Sequence, residues 1–336
     1  MTILYGTTGY HLLLFESMYR SGVIERNRYV LYNPTNNVQH RSNKIIKLIM
    51  SPGYKLTETY RGLTDISYLR SIDRLISARL RLPRLNPKKA KEIYLAKTND
   101  IIARRIMYLS KNNNVTINGV EDGLALYENN LHSIRHPSRV NMRSKIYGGM
   151  SNPVDVMCTN QELNSVYVTH PGFVRNEVSN KKLYKIEFSI TNEQVSLLRR
   201  SFMSQENDLH WDKIGAFVIL PHSNVFHSER QMKKFESTIY SQVSAHPFLA
   251  VSYHPRETNP YLDANQKDLT VLPNEIPAEI AMVCMRNLKL AIGGASTALK
   301  SATLLRDDIQ TICITVEPKK SRFETHVAPN IFDEVV

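Results

Sequence analysis

Apolar and polar positions alternate along this chain in short blocks that read as strand, turn and helix in turn. Met1 to Tyr5 is an apolar run with strand character, followed by Gly6-Thr7-Thr8-Gly9 and an apolar helix over Tyr10 to Tyr19. Strand, glycine turn and helix is how a doubly wound α/β unit begins. Tyr29 to Tyr32 reads as a second strand; residues 41–50, 66–81 and 86–109 read as helices. Asn114 to Gly119 is a strand whose Asn118-Gly119 turn leads into the acidic segment VEDGLALYE at 120–128. Residues 129–160 are polar and read as loop and short helix, and Val166 to Thr169 as a strand.

The second half has the cleaner alternation. After a polar linker over 193–212 come strands at 216–220, 248–253, 288–292 and 311–316, with helices at 229–243, 277–285 and 296–305 between them. No repeat or low-complexity tract interrupts the pattern. The expected architecture is α/β with two Rossmann-like domains, 1–200 and 201–336, facing across a cleft. In such sheets ligands sit beyond the carboxyl ends of the strands, so the residues that directly follow a strand are the candidates.

Composition adds limits. With 42% apolar and 22% charged residues, the chain has the content of a globular protein. Cys158, Cys284 and Cys313 are too few and too scattered for a disulfide framework or a zinc site. Cys284 and Cys313 lie in apolar runs and read as core thiols, in keeping with a reducing compartment. The first residues lack the basic start and cleavage site of a signal peptide. No run approaches the ~18 apolar residues that span a bilayer. The expected location is the cytoplasm, with peripheral contact at the inner membrane.

That contact is suggested by charge. Lys and Arg number 43 against 31 acids, a net +12, and eleven of the basic residues fall between Arg70 and Arg105 against three acids. Such a run suits anionic headgroups or an acidic glycan. Nucleic acid is disfavoured, because no binding motif accompanies the run and no aromatics are interleaved with it.

Four places could carry chemistry. Glu121-Asp122-Gly123 follows a strand; it is a favoured turn, or a carboxylate placed as a general base. His254-Pro255-Arg256 follows the strand at 248–253, where the histidine and the arginine could meet a phosphate. Pro277-Ala278-Glu279 opens a helix, either as plain helix-start chemistry or as a carboxylate for ribose hydroxyls. Gly293-Gly294-Ala295-Ser296-Thr297 runs from a strand into a helix, and reads as an N-cap or an anion site. The His-Pro dipeptide occurs four times, and among them His254 is singled out by its YHPRE setting at a strand end. No Asp-x-Asp, His/Cys cluster or HExxH supports a metal, and no GxSxG supports a serine hydrolase.

The order of these motifs resembles that of the bacterial sialyltransferases of the GT-B fold, with their [DE]-[DE]-G and HP motifs and downstream Ser/Thr pair. The capsular polysialyltransferases are the nearest likeness. The resemblance implies an inverting glycosyltransferase that needs no metal or other cofactor. It would move a nonulosonic acid, sialic acid or a relative such as pseudaminic acid, from a CMP donor to a hydroxyl of a capsule- or lipooligosaccharide-type glycan, free or lipid-linked. It implies that Glu121 is the base, with Asp122 as its alternative, and that Gly123 of the same motif belongs to the donor nucleotide site. It further implies that His254, with Pro255 and Arg256, stabilises the departing CMP phosphate. Glu279 would bind the ribose, and Gly294, Ser296 and Thr297 would hold the phosphate. Two other readings stand beside it: a GT-B enzyme for another nucleotide sugar (CMP-Kdo or a UDP-sugar), and a non-catalytic binder of acidic glycans.

Overall fold

The computed structural model describes residues 1–32, 49–50, 53–58, 87–111, 113–127, 157–203, 210–254, 257, 261–262, 268–273, 276–315 and 327–336. The helix expected over 66–81, nearly all of that over 41–50, and most of the loop at 129–160 lie outside these residues. The chain divides into two compact units: Met1–Asn37 with Met50–Glu187, and Val38–Ile49 with Phe188–Val336.

The first unit holds β1 (Thr2–Gly6), α1 (Gly9–Arg20), β2 (Arg28–Tyr32), β3 (Tyr54–Glu58), β4 (Glu92–Leu95), α2 (Ile101–Ser110), β5 (Thr116–Val120), β6 (Ser165–Val168), α3 (Asn176–Ser179) and β7 (Lys182–Lys185). Its seven strands run parallel in the order β3-β2-β1-β4-β5-β6-β7. β1 lies between β2 and β4 and is buried throughout. A strand covered on both faces needs a continuous apolar run rather than alternation, which is what TILYG supplies.

The second unit holds α4 (Asn192–Met203), β8 (Ala216–Ile219), α5 (Glu229–Gln242), β9 (Phe248–Ser252), β10 (Asp268–Val271), α6 (Ala278–Cys284), β11 (Leu290–Gly294), α7 (Thr297–Leu305), β12 (Gln310–Ile314) and β13 (Glu334–Val335). Its six strands are also parallel, in the order β10-β9-β8-β11-β12-β13. The core on one side joins Val218, Ile292 and Ile312 from the strands to Phe235 and Ile239 of α5. All three cysteines are buried thiols without a disulfide.

Several elements differ from the sequence pattern. The single helix expected over 86–109 is a short 3-10 turn, then β4, then α2. Glu92-Ile93-Tyr94-Leu95 is too short to show a period. It is a strand because β1 and β5 flank it and take up its backbone hydrogen bonds. Asn118-Gly119 is not a turn but the middle of β5, paired with β4 and β6. The polar stretch 193–212 contains α4, whose buried stripe among described side chains is only Gln194 and Leu198. Gln194 Nε2 donates to the Ile49 carbonyl at 2.7 Å, so a polar residue does part of the packing.

Gly293 is required by a close approach. A Cβ there would stand 2.0 Å from the Ile219 carbonyl oxygen on the neighbouring β8, whereas one on Gly294 would meet only the Pro221 ring, at 3.3 Å. Gly293→Ala is therefore expected to cost about 1–3 kcal/mol by overpacking and to lower the thermal midpoint clearly more than Gly294→Ala does. Parallel melting curves of the two variants check this.

Candidate active site

The side chains with reactive chemistry in the first unit collect at the carboxyl edge of its sheet. Glu121 and Asp122 follow β5, Thr169 and His170 follow β6, and Thr7 with His11 follows β1 at the start of α1. Gly123, the third residue of the acidic motif, opens a 3-10 turn with φ +57°. That left-handed conformation favours glycine and lets the chain turn away right behind the two acids.

The two adjacent acids have different surroundings. Glu121 is fully buried. Its carboxylate accepts hydrogen bonds from the Tyr10 and Tyr127 hydroxyls. It also accepts from the Thr169 backbone N–H at 2.7 Å and from the Thr169 hydroxyl at 3.0 and 3.1 Å. A carboxylate offers about four lone-pair sites, and here all are taken by fixed donors. Burial first, and then the Glu121 charge, push both tyrosines well above their ordinary value, so they stay protonated as donors.

Asp122 keeps 20% of its side chain exposed, and its Oδ1 lies 2.9 Å from Nε2 of the fully buried His11. His11 Nδ1 accepts the Thr7 backbone N–H at 3.0 Å. An accepting Nδ1 places the ring proton on Nε2, and the imidazole donates it to Asp122. Burial raises the Asp122 pKa, but the hydrogen bond and electrostatic attraction from His11, together with the Lys97 charge, outweigh burial and leave it below its ordinary value. Asp122 is thus an ionised carboxylate with one oxygen held and one edge open.

This arrangement has a direct test at His11. His11→Leu removes the donor and is expected to move the acid limb of the kcat/KM profile to higher pH and to lower kcat. His11→Gln, whose amide nitrogen can stand near Nε2, is expected to restore most of both. Rate profiles of the two variants against pH give the comparison.

In the second unit the order β9-β8-β11 places three strand ends side by side. His254 follows β9, Pro221-His222 follows β8, and Ser296-Thr297 follows β11 and opens α7. Ser296 is the N-cap of α7, its Oγ accepting the Leu299 N–H at 3.1 Å. Gly294 faces Pro221. Glu279, 8% exposed, sits in the first turn of α6, where the helix dipole favours a carboxylate; α6 packs against α4 and α7. Pro255 and Arg256 lie outside the described residues, as do residues 70–86 of the basic run.

Three residues escape the sequence reading. His170 ends β6 as directly as His254 ends β9, and its Nδ1 lies 2.9 Å from Thr169 Oγ1, beside the Glu121 carboxylate. His222 follows β8 and stands edge to face with His254, ring centroids 5.4 Å apart. The rule that ligands meet strand ends could have found both. His11 has no such signal, since its partner is 111 residues away. Among the described residues, no group of three or more His, Cys, Asp or Glu stands where it could hold a metal ion. Nor is any described helix long and apolar enough to cross a membrane.

Two parallel α/β units with their chemistry at the carboxyl edges have the GT-B-like architecture. The solved structures it resembles include the UDP-GlcNAc 2-epimerase of Methanocaldococcus jannaschii, at TM-score 0.58 and 13% identity over 100% of this chain and 88% of that one. The alpha/beta-galactoside alpha-2,3-sialyltransferase of the luminous marine bacterium Photobacterium phosphoreum matches at TM-score 0.52 and 11% identity, over 98% and 93% of the two chains. The UDP-GlcNAc 2-epimerase of Neisseria meningitidis matches at TM-score 0.55 and 12% identity, over 93% and 82%. Identities this low speak for the fold alone. No curated protein matches the sequence significantly. Residues 2–315 match the family model of the alpha-2,8-polysialyltransferases. The chain belongs to that family and is a sialic acid glycosyltransferase.

Proposed function

We propose that the enzyme moves a nonulosonic acid from its CMP ester to a glycan hydroxyl, with inversion and without a metal, and that Asp122 is the base. The observation that carries this reading is the contrast within the acidic motif. Glu121 has its lone pairs filled by buried donors, while Asp122 is ionised, partly exposed and oriented by His11. A base must reach the proton it takes, and only Asp122 of the pair has an open edge.

In the displacement, the acceptor oxygen bonds to the anomeric carbon while the bond from that carbon to the phosphate oxygen breaks. The acceptor proton passes to Asp122, and the bonding electrons stay on the departing CMP phosphate. His254, with Arg256 and the Ser296 and Thr297 hydroxyls, stabilises that phosphate by charge-assisted hydrogen bonds. Glu279 binds the ribose. Glu121 is the brace that fixes the strand ends around the base. The acceptor is a surface glycan, and the basic run at 70–105 brings the cytoplasmic enzyme to it at the membrane.

The test is a panel of CMP- and UDP-activated sugars with several acceptors in EDTA, followed by nucleotide release. CMP release from a nonulosonic donor is expected. Release of UDP instead would assign another donor, and CMP release only after added divalent cation would refute the metal-free step.

A further inference from the structure

We propose that His222 is a second phosphate-binding imidazole, whose Nε2–H donates to an oxygen of the nucleotide phosphate beside His254. The proposal rests on the reading that this unit binds the CMP donor.

Topology places His222 where a ligand is met. From β8 the chain moves outward through β9 to β10, and then returns to β11 on the opposite side of β8. The strand order therefore reverses between β8 and β11, and in open parallel sheets the ligand crevice opens at that reversal. One flank is the loop after β8, which carries His222 close behind the strand and His227 just before α5; the other is the loop after β11, with Ser296 and Thr297. His254 lies one strand further out.

Packing holds the His222 loop against this point. Gly293 leaves room for the Ile219 carbonyl, and Gly294 for the Pro221 ring. The Tyr261 hydroxyl donates to the Pro221 carbonyl at 2.8 Å, and the Ser223 N–H donates to Glu257 Oε2 at 2.7 Å. The segment after β9 thus fastens the loop after β8 on either side of His222, which preorganises its imidazole.

The ring's tautomer is fixed as well. His222 Nδ1 accepts the Asn224 backbone N–H at 3.1 Å, so the ring proton is on Nε2. The Glu257 carboxylate, 3.7 Å away, also lies on the Nδ1 side. The side chain is 25% exposed, enough to reach a ligand. An imidazole whose Nδ1 accepts a backbone N–H keeps its Nε2–H as a donor for an anion. A phosphodiester carries one negative charge, and departure of CMP adds a second to the oxygen that leaves. A fixed donor at that oxygen gains strength as the charge develops. Two imidazoles on neighbouring strand ends would then share one phosphate.

The probes are CMP and cytidine, which differ by the phosphate, titrated calorimetrically into the native protein, His222→Ala, His222→Gln and His254→Ala. His222→Ala is expected to weaken CMP about tenfold to a hundredfold, the scale of a hydrogen bond to a charged group, with cytidine unchanged. His222→Gln, which keeps a donor near Nε2, is expected to recover part of the loss. Native-like CMP binding by His222→Ala, alongside loss in His254→Ala, would overturn the role of His222 and leave the donor site standing. Equal weakening of CMP and cytidine would also overturn it, as a structural effect. Failure of the native protein to bind CMP would defeat the reading of the unit itself.

Discussion

Asp122→Asn is expected to lower kcat for sialyl transfer by about a hundredfold to ten-thousandfold, the range of a lost general base. CMP affinity and the thermal midpoint are expected to stay close to native. Asparagine keeps an oxygen to accept the His11 Nε2–H, so the geometry survives while the ionised acceptor disappears. The same group predicts the pH behaviour. The folded Asp122 pKa lies below its ordinary value, so the carboxylate is ionised at neutral pH. The stability it contributes is present above the unfolded value and is lost as pH falls through the lower folded one. The acid limb of the native rate profile is accordingly expected below the ordinary aspartate range. An active Asp122→Asn, together with an inactive but well-folded Glu121→Gln, would exchange the two roles.

Glu121→Ala is expected to fail in a different way, by unfolding the first unit rather than by losing chemistry alone. Removing the carboxylate takes this acceptor from the Tyr10 and Tyr127 hydroxyls and the Thr169 N–H, all in the buried interior, while the Thr169 hydroxyl keeps its His170 neighbour. Each unsatisfied buried group costs about 1–3 kcal/mol, and a cavity adds to it. The losses do not sum fully, because the donors share one acceptor; a total on the order of 4 kcal/mol is a large part of a typical domain stability of about 5–15 kcal/mol. The expected result is a thermal transition lowered by roughly 10 °C, with activity falling in proportion to the folded fraction. A variant with native stability would show that Glu121 is no brace.

Much of the fold was legible because its central strands are buried on both faces. TILYG and AFVI are runs buried throughout, and the helices that follow them are capped by Thr8 and Ser228. The elements that were missed are those whose identity depends on neighbours. β4 is four residues long and is a strand through its pairing with β1 and β5. β3, β7, β10 and β13 are short or lie toward sheet edges, where the side-chain pattern is weak. α4 hides its stripe behind a buried glutamine.

The acidic motif shows the same division at a finer scale. By itself, the sequence determined that two acids and a glycine follow a strand, and strand ends are where parallel sheets present their chemistry. It could not say which acid is open and which is spent, because the deciding partners come largely from two other strand ends, those of β1 and β6. Tyr10 and His11 lie 111 residues before their acids, and Thr169 lies 48 residues after Glu121. Only the tertiary structure brings these together, burying Glu121 among donors and leaving Asp122 with an exposed edge. The physical reason is that a carboxylate's role is set by its donors and its access to solvent, and both are long-range properties of the fold.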